Sequence, residues 1–142
     1  ESLLNAGKIE LEAAGLGNKR IHTVLTETFD MASFHTKMDF ILSVSLFTHL
    51  PMNMIVSCLR QVRQSLKPDG QYYTTYFNAP QSVYTKAITH NPGNITTHHN
   101  QDPYHYSLEE MQHAASESNL CVEEVSNWRH PRNQKMLVFT LE

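Results

Sequence analysis

The sequence predicts a doubly wound α/β domain whose sheet is mostly parallel, closes on an antiparallel carboxyl-terminal hairpin and carries helices on both faces. Three observations predict it. The run Asp39-Phe40-Ile41-Leu42-Ser43-Val44-Ser45-Leu46-Phe47 is almost continuously apolar or small, which suits a strand covered on both sides. Strand-like and helix-like segments alternate through most of the chain, the order of βαβ units. The last two strand-like segments stand too close for a crossover helix, so they pair antiparallel.

The elements follow in order. Leu3, Leu4, Gly7, Ile9, Leu11 and Ala14 lie in a first helical stretch that Gly15 can end. Gly17-Asn18 is turn chemistry, and Ile21 to Leu25 reads as a short strand. The Asp39–Phe47 strand leads to Pro51, suited to the first turn of a helix. Ile55, Val56, Leu59, Val62 and Leu66 then recur at helical spacing, with Arg60, Arg63, Gln64 and Lys67 opposite. Lys67-Pro68-Asp69-Gly70 is a stop and turn before a tyrosine- and threonine-rich strand, Gln71 to Phe77. Pro80 to Ile88 reads as a short helix, and Thr89 to Tyr106 as a long irregular loop of the functional or mobile kind. Ser107 and Glu110 form a capping box opening a helix to about Glu117. Cys121 to Asn127 and Lys135 to Leu141 are the closing strands.

The 142 residues make one domain, or part of one, spanning 1–142. A net charge of −3 without a basic cluster argues against nucleic acid or an anionic membrane as partner. No apolar run nears the roughly 20 residues that span a bilayer. Cys58 and Cys121 each sit in an apolar periodic segment and read as reduced core thiols of a cytoplasmic protein. The chain opens Glu1-Ser2-Leu3-Leu4 without methionine, which suggests a processed, trimmed or partial sequence.

The segment from Asp39 through Thr48-His49-Leu50-Pro51, the Leu66-Lys67-Pro68-Asp69-Gly70 turn and the terminal hairpin stand in a fixed order. Together they resemble the class I S-adenosylmethionine-dependent methyltransferases, in which an Asp opens the buried fourth strand. There a Leu-Lys-Pro-Gly-Gly-like turn precedes the fifth strand. Ala14-Gly15-Leu16 looks like the region after the family's second strand. The resemblance implies a partial Rossmann-like methyltransferase sheet, the carboxyl-terminal portion of the family's 3-2-1-4-5-7-6 order. It also implies S-adenosylmethionine as cofactor and a small-molecule methyl acceptor.

One departure stands out. The family's Gly-x-Gly-x-Gly turn has no substitute here: the five glycines, at 7, 15, 17, 70 and 93, never follow a buried strand and open a helix. The acidic residue that binds the ribose hydroxyls also has no clear counterpart; Glu1 is that residue or lies a few positions past it. The expectation is an amino-terminal truncation that leaves about half of a cofactor site and weakens or abolishes activity. It also leaves the Asp39–Phe47 strand with a bare edge, covered either by the Ile21 segment or by a second copy in a homodimer.

Candidate site residues follow from the resemblance and from position at the carboxyl ends of strands. Ser43, Ser45, Leu46 and Phe47 would line the methionine end of the cofactor, and Glu27, with Asp30 beside it, would meet adenine. The plainer alternative makes Leu46 and Phe47 core and the carboxylates ordinary surface. His49 would be the general base, although methyl transfer can proceed on alignment alone. Tyr104, His105 and Tyr106 in the overhanging loop, and Arg129 in the Trp128-Arg129-His130-Pro131-Arg132 tip, would meet substrate. His90, His98, His99 and His105 invite a metal, but no ligand spacing supports one and none is expected. Two further readings stay open: a non-catalytic remnant or interaction module, and a half-enzyme completed by another polypeptide.

Overall fold

The computed structural model describes residues 2–142, with side chains from Leu4 onward; the expectation for Glu1 lies outside these, as does the side chain of Leu3. Helix α1 (Ser2–Ala13) ends in a Schellman pattern: the Leu16 amide bonds the Leu11 carbonyl at 2.8 Å and the Gly15 amide bonds that of Glu12 at 3.0 Å. Gly15 has φ +73° there, so glycine at the helix end is required, as the sequence predicts.

Residues 20–26 form no strand, which corrects the expectation for Ile21–Leu25. Ile21 and Leu25 are exposed, and β-branched residues without a partner ladder have nothing to bond. The next ordered piece is a single 3-10 turn, Ala32–Phe34, capped by Asp30: its carboxylate accepts from the Ala32 amide (3.0 Å) and the Ser33 hydroxyl (2.6 Å).

Strand β1 (Met38–Ser43) is shorter than its apolar run, because Ser45 takes φ +61° and turns the chain into a 3-10 turn, Phe47–His49. Helix α2 (Met52–Ser65) follows, with Pro51 at its N-cap, and buries Ile55, Cys58, Leu59 and Val62. Strand β2 (Leu66–Tyr76) begins earlier than expected. Its register shows why: Met38 faces Leu66 while Phe40 faces Gln71, so Lys67–Gly70 is a bulge and the expected turn sits inside the strand. A Cβ on Gly70 would lie 2.7 Å from the Met38 carbonyl oxygen, which leaves room only for glycine. Lys67, projecting from that bulge, meets both Asp39 oxygens at 2.8 Å and holds the exposed carboxyl below its usual range through the hydrogen bond.

Residues 81–86 are turns rather than the expected short helix. The expected irregular loop contains a small hairpin, β3 (Ile88–His90) with β4 (Ile95–Thr97). Helix α3 (Leu108–Ser116) starts with the full capping box: the Glu110 amide donates to Ser107 Oγ (3.2 Å) and the Ser107 amide to Glu110 Oε2 (2.7 Å). Strands β5 (Leu120–Glu124) and β6 (Lys135–Leu141) close the chain as the predicted hairpin.

The main sheet has the order β1-β2-β6-β5, parallel between β1 and β2 and antiparallel at both contacts of β6. Three strands therefore run one way and β6 alone is reversed. This is the 4-5-7-6 portion implied by the resemblance. Helices α2 and α3 share one core with Phe47, Tyr72, Tyr76, Leu137 and Phe139. The other face of β1 is uncovered: Phe40 is 68% exposed, Leu42 66% and Val44 53%. Helical cover on both faces is thus met on one face only at this strand. Among the described residues β1 is an edge strand, and the Ile21 segment does not cover it. Cys121 points outward and is exposed, correcting its assignment to the core; Cys58 is buried, and both are free.

Candidate functional site at the carboxyl end of the sheet

The sharp turn after β1 places Ser45 to Leu50 across the carboxyl ends of β1 and β2. Ser45 is held in its left-handed conformation from two sides. Its amide donates to Thr75 Oγ1 at 2.7 Å, and its hydroxyl exchanges hydrogen bonds with the buried Gln134 carboxamide at 3.0–3.1 Å. The Thr48 hydroxyl closes the turn onto the Ser45 carbonyl at 2.7 Å. Below it, Ser43 Oγ lies 2.7 Å from both Tyr72 OH and Thr74 Oγ1. Burial pushes the Tyr72 phenol up, and the Cys58 thiol up to about 11, so both stay neutral donors beneath the turn.

The segment from Asn78 to Tyr106 forms a cap anchored on this turn. The Tyr104 amide donates to the Thr48 carbonyl and the Tyr106 hydroxyl to the Leu50 carbonyl, each at 2.7 Å. His49 is exposed and stands at the junction, its Nδ1 2.6 Å from Asp102 Oδ1. A carboxylate can only accept, so Nδ1 carries a hydrogen, and in the neutral ring Nε2 then holds the lone pair. A histidine oriented by a carboxylate in this way can take a proton from a hydroxyl.

The expected residues fall into two groups. Ser43, Ser45, Leu46 and His49 are brought together at this end, with Leu46 half-buried and the exposed Val44 between the serines. Phe47 is not available to a ligand: it is 0% exposed, edge-on to Tyr72 and Phe139 at ring distances of 6.0 and 6.4 Å. His105 and Tyr106 are also buried and serve the cap, which corrects their assignment to substrate. Tyr104 is half-buried, stacked on Tyr106 at 6.0 Å. Arg129 is exposed in the β5–β6 loop, whose Gln134 reaches Ser45 and whose Arg132 packs against Gly93 of the β3–β4 turn. Glu27 is exposed on the segment before Asp30 and is not joined to the group.

Asp102 and Gln134 are the residues sequence reasoning missed. Neither sits in a motif, and each meets its partner only through the fold, 53 and 89 positions away. The loop histidines are engaged in ordinary hydrogen bonds: His90 and His105 on Thr97, and His99 beside Glu110. Concavities of 610 Å³ (Arg20, His22, Phe34, His35, Met38) and 350 Å³ (Met31, Lys37, Gln64, Ser65) lie by the amino end of β1. They contain none of the expected residues.

The residues present suit one end of the implied cofactor. Leu46, Val44 and the Ser45 turn offer an apolar and main-chain surface beside His49. Gly70 and Gly93 are packed against Met38 and Arg132, so neither offers the close backbone approach that the other end needs.

The sequence matches no family model and no curated protein. Among solved structures the chain is similar to a candidate O-methyltransferase of Nostoc punctiforme (TM-score 0.71, 18% identity, covering 97% of this chain and 42% of that one). It is also similar to an S-adenosylmethionine-dependent methyltransferase of Clostridium acetobutylicum (0.70, 10%, 99% and 72%). A third is a family 2 O-methyltransferase of Planctomyces limnophilus solved with apigenin (0.69, 12%, 99% and 41%). The chain spans about two fifths of the first and third of these. No helix among the described residues is long and apolar enough to cross a membrane. Strand order, the reversed β6 and these likenesses agree: the chain carries part of the class I S-adenosylmethionine-dependent methyltransferase fold.

Proposed function

We propose that the chain is the carboxyl-terminal part of an S-adenosylmethionine-dependent methyltransferase that acts on a hydroxyl group of a small molecule. The observation that carries this is the His49–Asp102 pair, exposed at the carboxyl end of β1 beside the Ser45 turn. When bound, the cofactor supplies an electrophilic methyl group. His49 Nε2 removes the acceptor's hydroxyl proton, Asp102 holds the ring, and Leu46 and the Ser45 turn border the methyl end. In this reading Tyr104, whose amide bonds the Thr48 carbonyl, and Arg129 of the β5–β6 loop meet the acceptor. The printed names of the similar structures, O-methyltransferases among them, support the hydroxyl as acceptor. Transfer of labelled methyl from S-adenosylmethionine to small phenols tests it; slow transfer, impaired by the half-built cofactor site, is expected of the wild type, and its absence across acceptors overturns independent activity.

A second reading is favoured by one specific observation, the bare face of Phe40, Leu42 and Val44 next to the open β1 edge. In it, a further polypeptide supplies the missing turn. A second copy of this chain lacks that turn too and would only cover the edge, by pairing along β1 in a homodimer. Multi-angle light scattering then gives twice the 16.3 kDa chain mass; a monomer at every concentration overturns the dimer. Two free cysteines fit a reducing compartment such as the cytoplasm.

A further inference from the structure

Two joined hollows lie where β2 and β5 begin, at the end of the sheet opposite the Ser45 turn, and the methyl-transfer reading uses neither. The first, about 240 Å³, sits between the carboxyl ends of α2 and α3 and is lined by Arg60, Arg63, Gln64, Glu117, Ser118 and Asn119. The second, about 320 Å³, shares Arg63 and Asn119 with it. It adds Lys37, Glu142 and the apolar walls of Leu66, Pro68 and Leu141.

Ser118 is 1% exposed, and its hydroxyl is the one buried side-chain polar atom among the described residues that has no hydrogen-bond partner. Native proteins keep few such groups, because a buried O–H without an acceptor is destabilising. Two guanidinium groups line the same hollow. Arg60 and Arg63 are neighbours one turn apart on α2, both are exposed, and neither forms an ion pair among the described residues. Carbonyls at the two helix ends would repel an anion, but here they are engaged. That of Gln64 accepts from Lys37 Nζ, and those of His113, Ala115 and Ser116 accept from the amides of Glu117, Ser118 and Asn119. Asn119, at φ +51°, then turns the chain into β5. Against the two acids of the lining, Glu117 and Glu142, stand Lys37, Arg60 and Arg63, so the balance of charge favours an anion.

We propose that these hollows form a second ligand site, which binds a small phosphate monoester. Arg60 and Arg63 hold phosphate oxygens, Ser118 Oγ donates to another, and the organic body lies against Leu66, Pro68 and Leu141. Three donor groups match the three terminal oxygens of a phosphate, whereas a carboxylate offers two and a single charge. Seating the phosphate asks for a turn of Ser118 about its Cα–Cβ bond, and no hydrogen bond holds the hydroxyl where it stands.

Backbone amide and arginine side-chain shifts during titration with phenyl phosphate test this without a methyl donor. Ionic strength is fixed, at about pH 7.5, where the phosphate is a dianion. Saturating shifts are expected at Arg60, Arg63, Gln64, Leu66, Ser118 and Asn119, with inorganic phosphate and benzoate each binding about tenfold more weakly. Arg63→Gln and Ser118→Ala should each weaken phenyl phosphate about tenfold. Ser118→Ala removes an unpartnered hydroxyl, so it should unfold at or above the wild-type urea midpoint. Lys86→Gln removes the same charge from the exposed surface of the cap and should leave affinity unchanged. The site is overturned by shifts that never saturate, by equal losses in Lys86→Gln and Arg63→Gln, or by full affinity in Ser118→Ala. Benzoate binding as tightly as phenyl phosphate overturns phosphate as the group recognised, and inorganic phosphate doing so overturns the ester.

Discussion

Phe47→Ala is expected to destabilise the protein by about 3–5 kcal/mol, read as a shift in the urea midpoint of the main-sheet transition. The ring is fully buried and stands edge-on to Tyr72 and Phe139, with α2 packed over the same core. Truncation removes those contacts and leaves a cavity that a sheet and two helices cannot collapse to fill. Such a loss approaches the whole stability of a small domain, about 5–15 kcal/mol. Phe40→Ala is the internal control. Phe40 is 68% exposed on the uncovered face of β1, so a change of no more than about 1 kcal/mol is expected. Were Phe47 instead a wall of the cofactor site, the variant would lose ligand affinity and keep its midpoint.

His49→Ala is expected to lower kcat for methyl transfer by about 10²–10⁴-fold, with the KM for cofactor nearly unchanged. His49 is exposed and contributes nothing to the core, so the variant should unfold at the wild-type midpoint. Asp102→Asn should reduce kcat less, because it removes only the group that fixes the proton on Nδ1. A variant lacking His49 that keeps full kcat would show that alignment alone drives the transfer. That outcome removes the base and spares the methyltransferase assignment.

How far the sequence foretold all this depends on whether each signal was local. The capping box of Ser107 and Glu110, the stripe of α2 and the closing hairpin are short-range patterns, and each forms where it was expected. The apolar run at Asp39 was read too long. Strand and buried 3-10 turn need the same residues, and only the left-handed Ser45, held by Thr75 and Gln134, separates them. Ile21 to Leu25 has strand composition but lacks a neighbour to bond, and the ladder decides. Nothing local marks the loop histidines as buried, because their segment is polar and irregular. His90 and His105 are buried because they satisfy one another through Thr97, a pairing that spans 15 residues. Asp102 reaches His49 by the same long-range folding, which no spacing rule exposes.

The central claim is that the turn after β1 forms one end of a cofactor site. Backbone amide shifts during titration with S-adenosylhomocysteine test it most directly. The expected result is weak binding, in the millimolar range near −4 kcal/mol, with perturbed amides confined to Ser43–His49 and Tyr104. Perturbations gathered instead around Arg20, His35 and Met38, or none at any site up to several millimolar, would contradict it.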